Sequence, residues 1–197
     1  MHEYDLIAEW YASGRSTDAT GVPEVTALLT SLPTPASVLD VGCGNGLPLT
    51  RVLIDHGCQV VGVDSSPNML ARFAANFPAV PAICAPIQAC DLNGRMFDAA
   101  IAWGVMFHLP LAEQVKTIAK VASVLKTGGL FLFTSGDEER GMDGEPFEGE
   151  PMNGVRFFYY SFTKDGYRDV LREYGLTLEE THIDKGQNMY YLARKTA

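Results

Sequence analysis

The sequence predicts a doubly wound α/β domain, and three observations carry that prediction. The first is the stretch Val38–Gly46, VLDVGCGNG, a short apolar run that reaches an acidic residue and then three glycines within five positions. The second is the alternation of apolar runs with helix-period segments between residues 36 and 135, the signature of a parallel sheet covered on both faces. The third is the end of the chain, where Leu176–Ile183 and Gln187–Arg194 alternate like two strands joined at Asp184-Lys185-Gly186, an antiparallel hairpin. Together they predict seven strands, mostly parallel, with an antiparallel last strand.

In chain order, Leu6, Ile7, Trp10 and Tyr11 fall at helical spacing, which predicts a helix over about residues 3 to 13. Thr20-Gly21-Val22-Pro23 breaks the chain and starts a second helix, with Val25, Leu28, Leu29 and Leu32 on one face. Leu32-Pro33-Thr34-Pro35 cannot stay helical. Val38, Leu39 and Val41 then form the first strand. The helix after the glycines stops at His56-Gly57. QVVGVD, 59–64, is the second strand, and Ser66-Pro67 places a serine cap and an N1 proline before a helix carrying Met69, Leu70 and Phe73. Val80–Cys84 is a weak third strand and Phe97–Ala102 a fourth. A helix spans about 111 to 125, and Lys126-Thr127-Gly128-Gly129 turns the chain into LFLFT, the fifth strand. Residues 136–155 hold seven acids, five glycines and two prolines, the composition of an exposed loop. The aromatic run RFFYYSF, 156–162, precedes a helix at 163–174 capped by Thr163.

The chain has 197 residues, a formal net charge of −9 and a pI near 4.8. That balance argues against a nucleic-acid partner, which needs a basic face. The cysteines at 43, 58, 84 and 90 include no C-x-x-C pair and no histidine at ligand spacing, so no metal site is expected. The first residues, MHEYDLIAEWYASGR, lack the basic start and apolar core of a signal peptide. No apolar run approaches membrane-spanning length. A cytoplasmic protein without a membrane partner is expected. Nothing in the sequence sets its oligomeric state.

Glycines this close together let the backbone turn sharply and lie against a bound molecule, with free N–H groups of the next helix pointing back at the loop. A dinucleotide fold would show G-x-G-x-x-G. Here the spacing is Gly42-x-Gly44-x-Gly46, and Leu47 stands where the third glycine belongs. A P-loop needs Lys followed by Ser or Thr after the glycines, and that pair is absent.

VLDVGCGNG resembles motif I of the class I S-adenosylmethionine-dependent methyltransferases. Asp64 closing the second strand, FDAAIAWGVMFHL at 97–109, VLKTGGLFLF at 124–133 and the terminal hairpin match that family in order and approximate spacing. The resemblance covers residues 36–135 well and the tail moderately. GLPL after the loop, and a lid followed by an aromatic YYS, are most similar to the small-molecule group of the superfamily. It implies one Rossmann-like methyltransferase domain over 1–197, with 1–33 and 136–160 as a lid. The implied reaction moves the methyl group of S-adenosylmethionine to a small-molecule acceptor by in-line displacement, leaving S-adenosylhomocysteine. A sensor or assembly protein that binds the same molecule without transferase activity is the alternative.

Carried over by position, the resemblance places Gly42, Cys43, Gly44 and Gly46 against the methionine and ribose portions. Asp64 would accept hydrogen bonds from both ribose hydroxyls. Asp40 would order the loop or sit near the methionine amine. Ser65 and Met69 would border the adenine, with Ala85-Pro86-Ile87 passing its edge. Many relatives have an acidic residue in that segment; Ala85-Pro86 departs from them, leaving backbone groups or Gln88 to meet the adenine. Trp103 and Tyr11 would touch the methionine end, and Arg15 would pair with its carboxylate. His108, after the fourth strand, is the candidate base, on the rim where ligands of open α/β sheets bind. Tyr159 and Tyr160 would line the acceptor pocket. WGVMFHL after the fourth strand, in place of an Asn-Pro-Pro-Tyr-like segment, argues against methylation of the amide-type nitrogens of DNA bases or glutamine.

Overall fold

From Ser37 to Ser135 strand and helix alternate in this computed structural model, which describes residues 3–15, 19–137, 146–183 and 189–196. Two helices come first, α1 (Glu3–Arg15) and α2 (Val22–Leu29). Then follow β1 (Ser37–Val41), α3 (Leu49–Asp55), β2 (Gln59–Asp64), α4 (Pro67–Asn76), β3 (Ala82–Cys84), β4 (Phe97–Ala102), α5 (Leu111–Val124) and β5 (Leu125–Ser135). A two-stranded flap, β6 (Phe147–Glu148) with β7 (Phe158–Tyr159), precedes α6 (Lys164–Glu173), β8 (Leu176–Ile183) and β9 (Met189–Lys195). The main sheet has seven strands in the order β3-β2-β1-β4-β5-β9-β8. β9 runs antiparallel to both of its neighbours.

Period-two alternation sorts the strand side chains onto two cores. Leu39, Val63, Ala100, Phe131, Phe133 and Tyr191 face α5 and α6. Val38, Val60, Ile101, Leu132 and Tyr190 face α2 and α3, meeting Val25, Leu28, Leu49 and Leu53. Both faces of β1 are therefore dry, which is why its sequence reads as a nearly continuous apolar run. Asp40, the exception, is buried on the α3 side.

Caps fix the helix starts as their sequences predict. Ser66 Oγ accepts from Met69 N at 3.1 Å ahead of Pro67, and Thr163 Oγ1 accepts from Gly166 N at 3.1 Å. Ser66 has a second task, because its hydroxyl donates to Asp5 Oδ1 of α1 at 2.5 Å. The same Asp5 oxygen accepts from Asn68 N at 3.2 Å. A carboxylate from α1 thus sits at the positive end of α4 and clips the N-terminal helix over the sheet.

The structure departs from the sequence expectation in three places. Lys126–Gly129 is a bulge inside β5: its pairing with β4 jumps from Phe97↔Leu125 to Ala99↔Leu130, with Gly128 at φ +82°. β3 begins at Ala82, not at residue 80, since Pro81 has no N–H for the ladder. The expected loop contains β6, whose two-residue pairing with β7 is too short to show any periodicity. The expected turn at Asp184-Lys185-Gly186, Gln187 and loop residues 138–145 lie outside the described residues.

A buried polar network joins the two helices on one face of the sheet. Tyr167 of α6 donates its hydroxyl to Gln114 Oε1 of α5 at 2.5 Å and contacts the Ser135 hydroxyl of β5. Gln114 Nε2 donates to Leu109 O and Tyr160 O at 2.9 and 3.1 Å. Burial pushes the Tyr167 phenol up to about 12, so it remains a donor through the whole working pH range. Tyr167→Phe leaves Gln114 without that donor, and urea denaturation is expected to show a loss of about 1–3 kcal/mol. An unchanged midpoint would show that the network adds nothing to stability.

Candidate functional site

A cavity of about 500 Å³ lies over the carboxyl ends of β1, β2 and β4, with α1 and residues 157–160, around β7 of the flap, as its roof. This is where an open α/β sheet reverses strand order and leaves a crevice. The turn after β1 is held tightly: Gly42 N and Cys43 N both donate to Val63 O, at 2.7 and 3.2 Å. Gly42 has φ +68°, and a Cβ there would stand 2.1 Å from Val105 Cγ2. Gly44 has φ +54°, yet a Cβ there would meet nothing within 4 Å. Gly42 is required by close packing, whereas Gly44 opens onto the cavity.

Asp64 ends β2 at the centre of this wall. Its Oδ2 accepts from Gly44 N and its Oδ1 from Ser66 N, each at 2.8 Å. The side chain fixed this way lines the cavity. Ser65, Met69, Ala85, Pro86 and Ile87 continue the same wall. Gln88 lines it too, but its amide nitrogen already donates to Thr117 Oγ1 at 3.0 Å and Glu113 O at 3.3 Å.

At the other end, Trp103 lines the cavity while packing against the α2–α3 core. Gly21, at the start of α2, lies so close that a Cβ there would stand 2.7 Å from the indole. Tyr11 lines the cavity beside Tyr4, with ring centroids 5.1 Å apart. His108 is boxed by aromatic rings, with Tyr4, Phe107, Phe157 and Tyr159 centroids at 4.7 to 5.5 Å. Its Nε2 is 3.0 Å from Tyr4 Oη and its Nδ1 3.4 Å from Phe158 O. A proton on Nδ1 lets that nitrogen donate to the carbonyl while Nε2 accepts from the tyrosine.

Residues 38–129 match a family described as a methyltransferase domain. That match spans just under half of the chain and marks residues 38–129 as a methyltransferase domain. It is 31% identical over 98 residues to a tRNA U34 carboxymethyltransferase of Saccharophagus degradans, covering 47% of this chain and 30% of that protein. It is 35% identical over 116 residues to a glycine/sarcosine N-methyltransferase of Parasynechococcus marenigrum, covering 55% and 40%. The chain thus spans only about a third of the length of such curated relatives. Among solved structures, it resembles a Burkholderia thailandensis 1,6-didemethyltoxoflavin-N1-methyltransferase crystallised with 1,6-didemethyltoxoflavin and S-adenosylhomocysteine. That match has a TM-score of 0.71 and 23% identity, covering 99% of this chain and 87% of the other. At that identity the likeness is one of fold.

The structure brings Tyr11, Gly42, Gly44, Asp64, Ser65, Met69, Ile87, Trp103, His108 and Tyr160 to one cavity. Asp40, Cys43, Gly46 and Tyr159 stand elsewhere. Cys43 packs with Phe73 and Phe77 behind the loop, and a Cβ on Gly46 would meet Phe77 at 2.3 Å. Tyr159 faces a neighbouring cavity. The Arg15 side chain lies outside the described set. Glu3, Tyr4, Glu113 and Phe157 line the cavity without having been singled out in the sequence. Of these, Glu3 and Glu113 carried a signal, as acids in the first turns of α1 and α5. Among the described residues no cluster is suited to a metal ion, and no helix is long and apolar enough to cross a membrane.

Asp40 is buried against α3. It is 5% exposed and its Oδ2 accepts from Thr50 Oγ1 of α3 at 2.5 Å. Burial, opposed by the Thr50 hydrogen bond and aided by the charge of Asp64, pushes its carboxyl from 3.8 up to about 7. Between those values the folded chain holds a proton that the unfolded chain has lost. Stability therefore falls as pH rises through that window, by up to about 1.4 kcal/mol per pH unit. Asp40→Asn removes this slope, so urea melts at pH 5 and pH 8 should show the variant gaining on the wild type at the higher pH. Parallel pH profiles would mean that Asp40 is already ionised in the fold.

Proposed function

We propose that this chain transfers the methyl group of S-adenosylmethionine to a small-molecule acceptor, with α1, α2 and the flap as the lid over its site. The observation that carries the reading is Asp64, a carboxylate immobilised by two backbone amides at the rim of a glycine turn. A pair of vicinal hydroxyls is the ligand feature such a fixed acceptor suits, because both of its oxygens can accept at once. Gly44 leaves room for the ribose and the chain beyond it. Met69 and Ile87 provide apolar walls for the adenine, while Tyr11 and Trp103 enclose the methionine end. A cavity of about 500 Å³ is in the range of small-molecule sites.

The bound sulfonium supplies a methyl carbon whose leaving group departs as a neutral thioether, so no acid is needed at sulfur. The protein's work is to align the acceptor, keep water out and, where the acceptor loses a proton, take it. Tyr4 Oη occupies the Nε2 side of His108. A proton leaving the acceptor therefore reaches His108 by way of the tyrosine hydroxyl, which passes its own proton to the imidazole. The Phe158 carbonyl opposite Nδ1 steadies the imidazolium that results.

A tRNA substrate is named for several relatives, among them the enzymes of Saccharophagus degradans and Arabidopsis thaliana. The net charge of −9 and a cavity lined, among the described side chains, by no lysine or arginine support a small molecule instead. Four free thiols support a reducing, cytoplasmic setting.

Calorimetry of the whole chain should detect S-adenosylhomocysteine and not NADH. Asp64→Ala should weaken that binding at least about tenfold, or about 1.4 kcal/mol. Unchanged affinity would place the ribose elsewhere. Once an acceptor is found, Tyr4→Phe and His108→Gln should each lower kcat at least about tenfold with little change in S-adenosylhomocysteine affinity. Loss of binding in parallel with kcat would mark the pair as structural.

A further inference from the structure

A second cavity, of about 540 Å³, opens where the carboxyl end of β5, the β8–β9 pair and the β6–β7 flap meet. Four aromatic side chains, Phe107, Phe147, Tyr159 and Tyr160, and two carboxylates, Asp137 and Glu150, line it. No lysine, arginine or histidine does so among the described residues. Tyr159 is the hub of the aromatic wall, its ring 5.7 Å from that of Phe107 and 6.2 Å from that of Phe147. Phe147 is 51% exposed and Ile183, on the rim, 56% exposed. Apolar side chains left open around a concavity mark a binding surface.

This cavity adjoins the donor site. Tyr160 lines both. His108, on the donor side, has its ring centroid 4.7 Å from Phe107 and 4.9 Å from Tyr159 on the other side. The wall between the two cavities is one layer of aromatic side chains.

We infer that the second cavity holds the cationic head of the methyl acceptor, a small organic ammonium, while the rest of that molecule reaches past Tyr160 to the donor cavity. Aromatic rings attract a desolvated cation through their quadrupole. Carboxylates among them add Coulomb attraction and exclude anions. The inference rests on the transferase reading above and gives its acceptor a chemical class. A protonated or quaternary nitrogen has no lone pair, so the methyl goes to a different atom of the same molecule. That atom's lone pair forms the new bond to carbon, sulfur keeps the electrons of the broken C–S bond, and any proton released passes through Tyr4 to His108.

The test is calorimetry of the full chain saturated with S-adenosylhomocysteine, using three probes. Choline and benzyltrimethylammonium are cations, and 3,3-dimethyl-1-butanol is the neutral isostere of choline. At least one cation should bind, with the neutral isostere weaker than choline, or undetectable, by at least about tenfold. Phe147→Ala, at an exposed position, and Tyr159→Leu should each weaken the cation at least about threefold and leave S-adenosylhomocysteine affinity unchanged. Failure of both cations to bind, equal affinity for the neutral isostere, or cation affinity indifferent to both substitutions would overturn the inference. The S-adenosylhomocysteine titration keeps the two readings apart. Binding of that molecule without a cation defeats only the acceptor class, whereas cation binding without it defeats the transferase reading.

Discussion

The carboxylate of Asp64 accepts the amide hydrogen of Gly44 through one oxygen and that of Ser66 through the other, both at 2.8 Å. Through those two bonds the end of β2 sets the path of the glycine turn on one side and the start of α4 on the other. Ser66 extends the chain of contacts, since its hydroxyl caps α4 and also meets Asp5 of α1. The roof of the cavity is therefore tied to the side chain that faces its centre. Removing the charge at Asp64 would do more than delete a ligand contact, because two buried-side amides would lose their acceptor together.

Asp40 and Gly62 are register partners on β1 and β2, which brings the Asp40 carboxyl near that of Asp64, two residues further along β2. Their environments divide the work. Asp40 is enclosed with one hydroxyl partner, and its pKa rises to about 7. Asp64 has two backbone N–H donors and a cavity in front of it. A proton held on Asp40 spares Asp64 a like charge behind it, so only one of two acidic residues near the turn needs to be charged there.

The half of the site built on strand ends was legible in the sequence, because its requirements are local. A positive-φ turn demands glycine, a strand end demands an apolar run before it, and Ser66-Pro67 announces the next helix. The same locality explains the misplacements. Asp40 and Asp64 look alike in sequence, and only strand pleat turns the first inward to α3. Gly46 and Cys43 belong to the loop but pack against Phe73 and Phe77, partners some thirty residues away. Tyr4 was invisible as a partner of His108, because 104 residues separate them and neither position carries a periodic signal. The β6–β7 flap, two residues a side, lies below the length at which alternation can be read.

The two halves of the site are built to different rules. The donor side rests on β1, β2 and β4, whose strands are buried on both faces and hydrogen-bonded to two neighbours each. The acceptor side is assembled from the end of β5, the flap and the segment after β4, held by a few long-range contacts such as Tyr160 N to Phe107 O at 2.8 Å and Gln114 to Tyr160 O. Rigid strand ends keep one ligand in a fixed pose, whereas short segments on a stable sheet can change composition without unfolding it. A single aromatic layer between the cavities suits that division. It shields the donor side from water arriving through the acceptor side, and a ligand that displaces Tyr160 replaces the water barrier with itself. Selection at the acceptor side then falls to the charge and aromatic character of the second cavity, whose carboxylates agree in sign with the chain's net charge of −9.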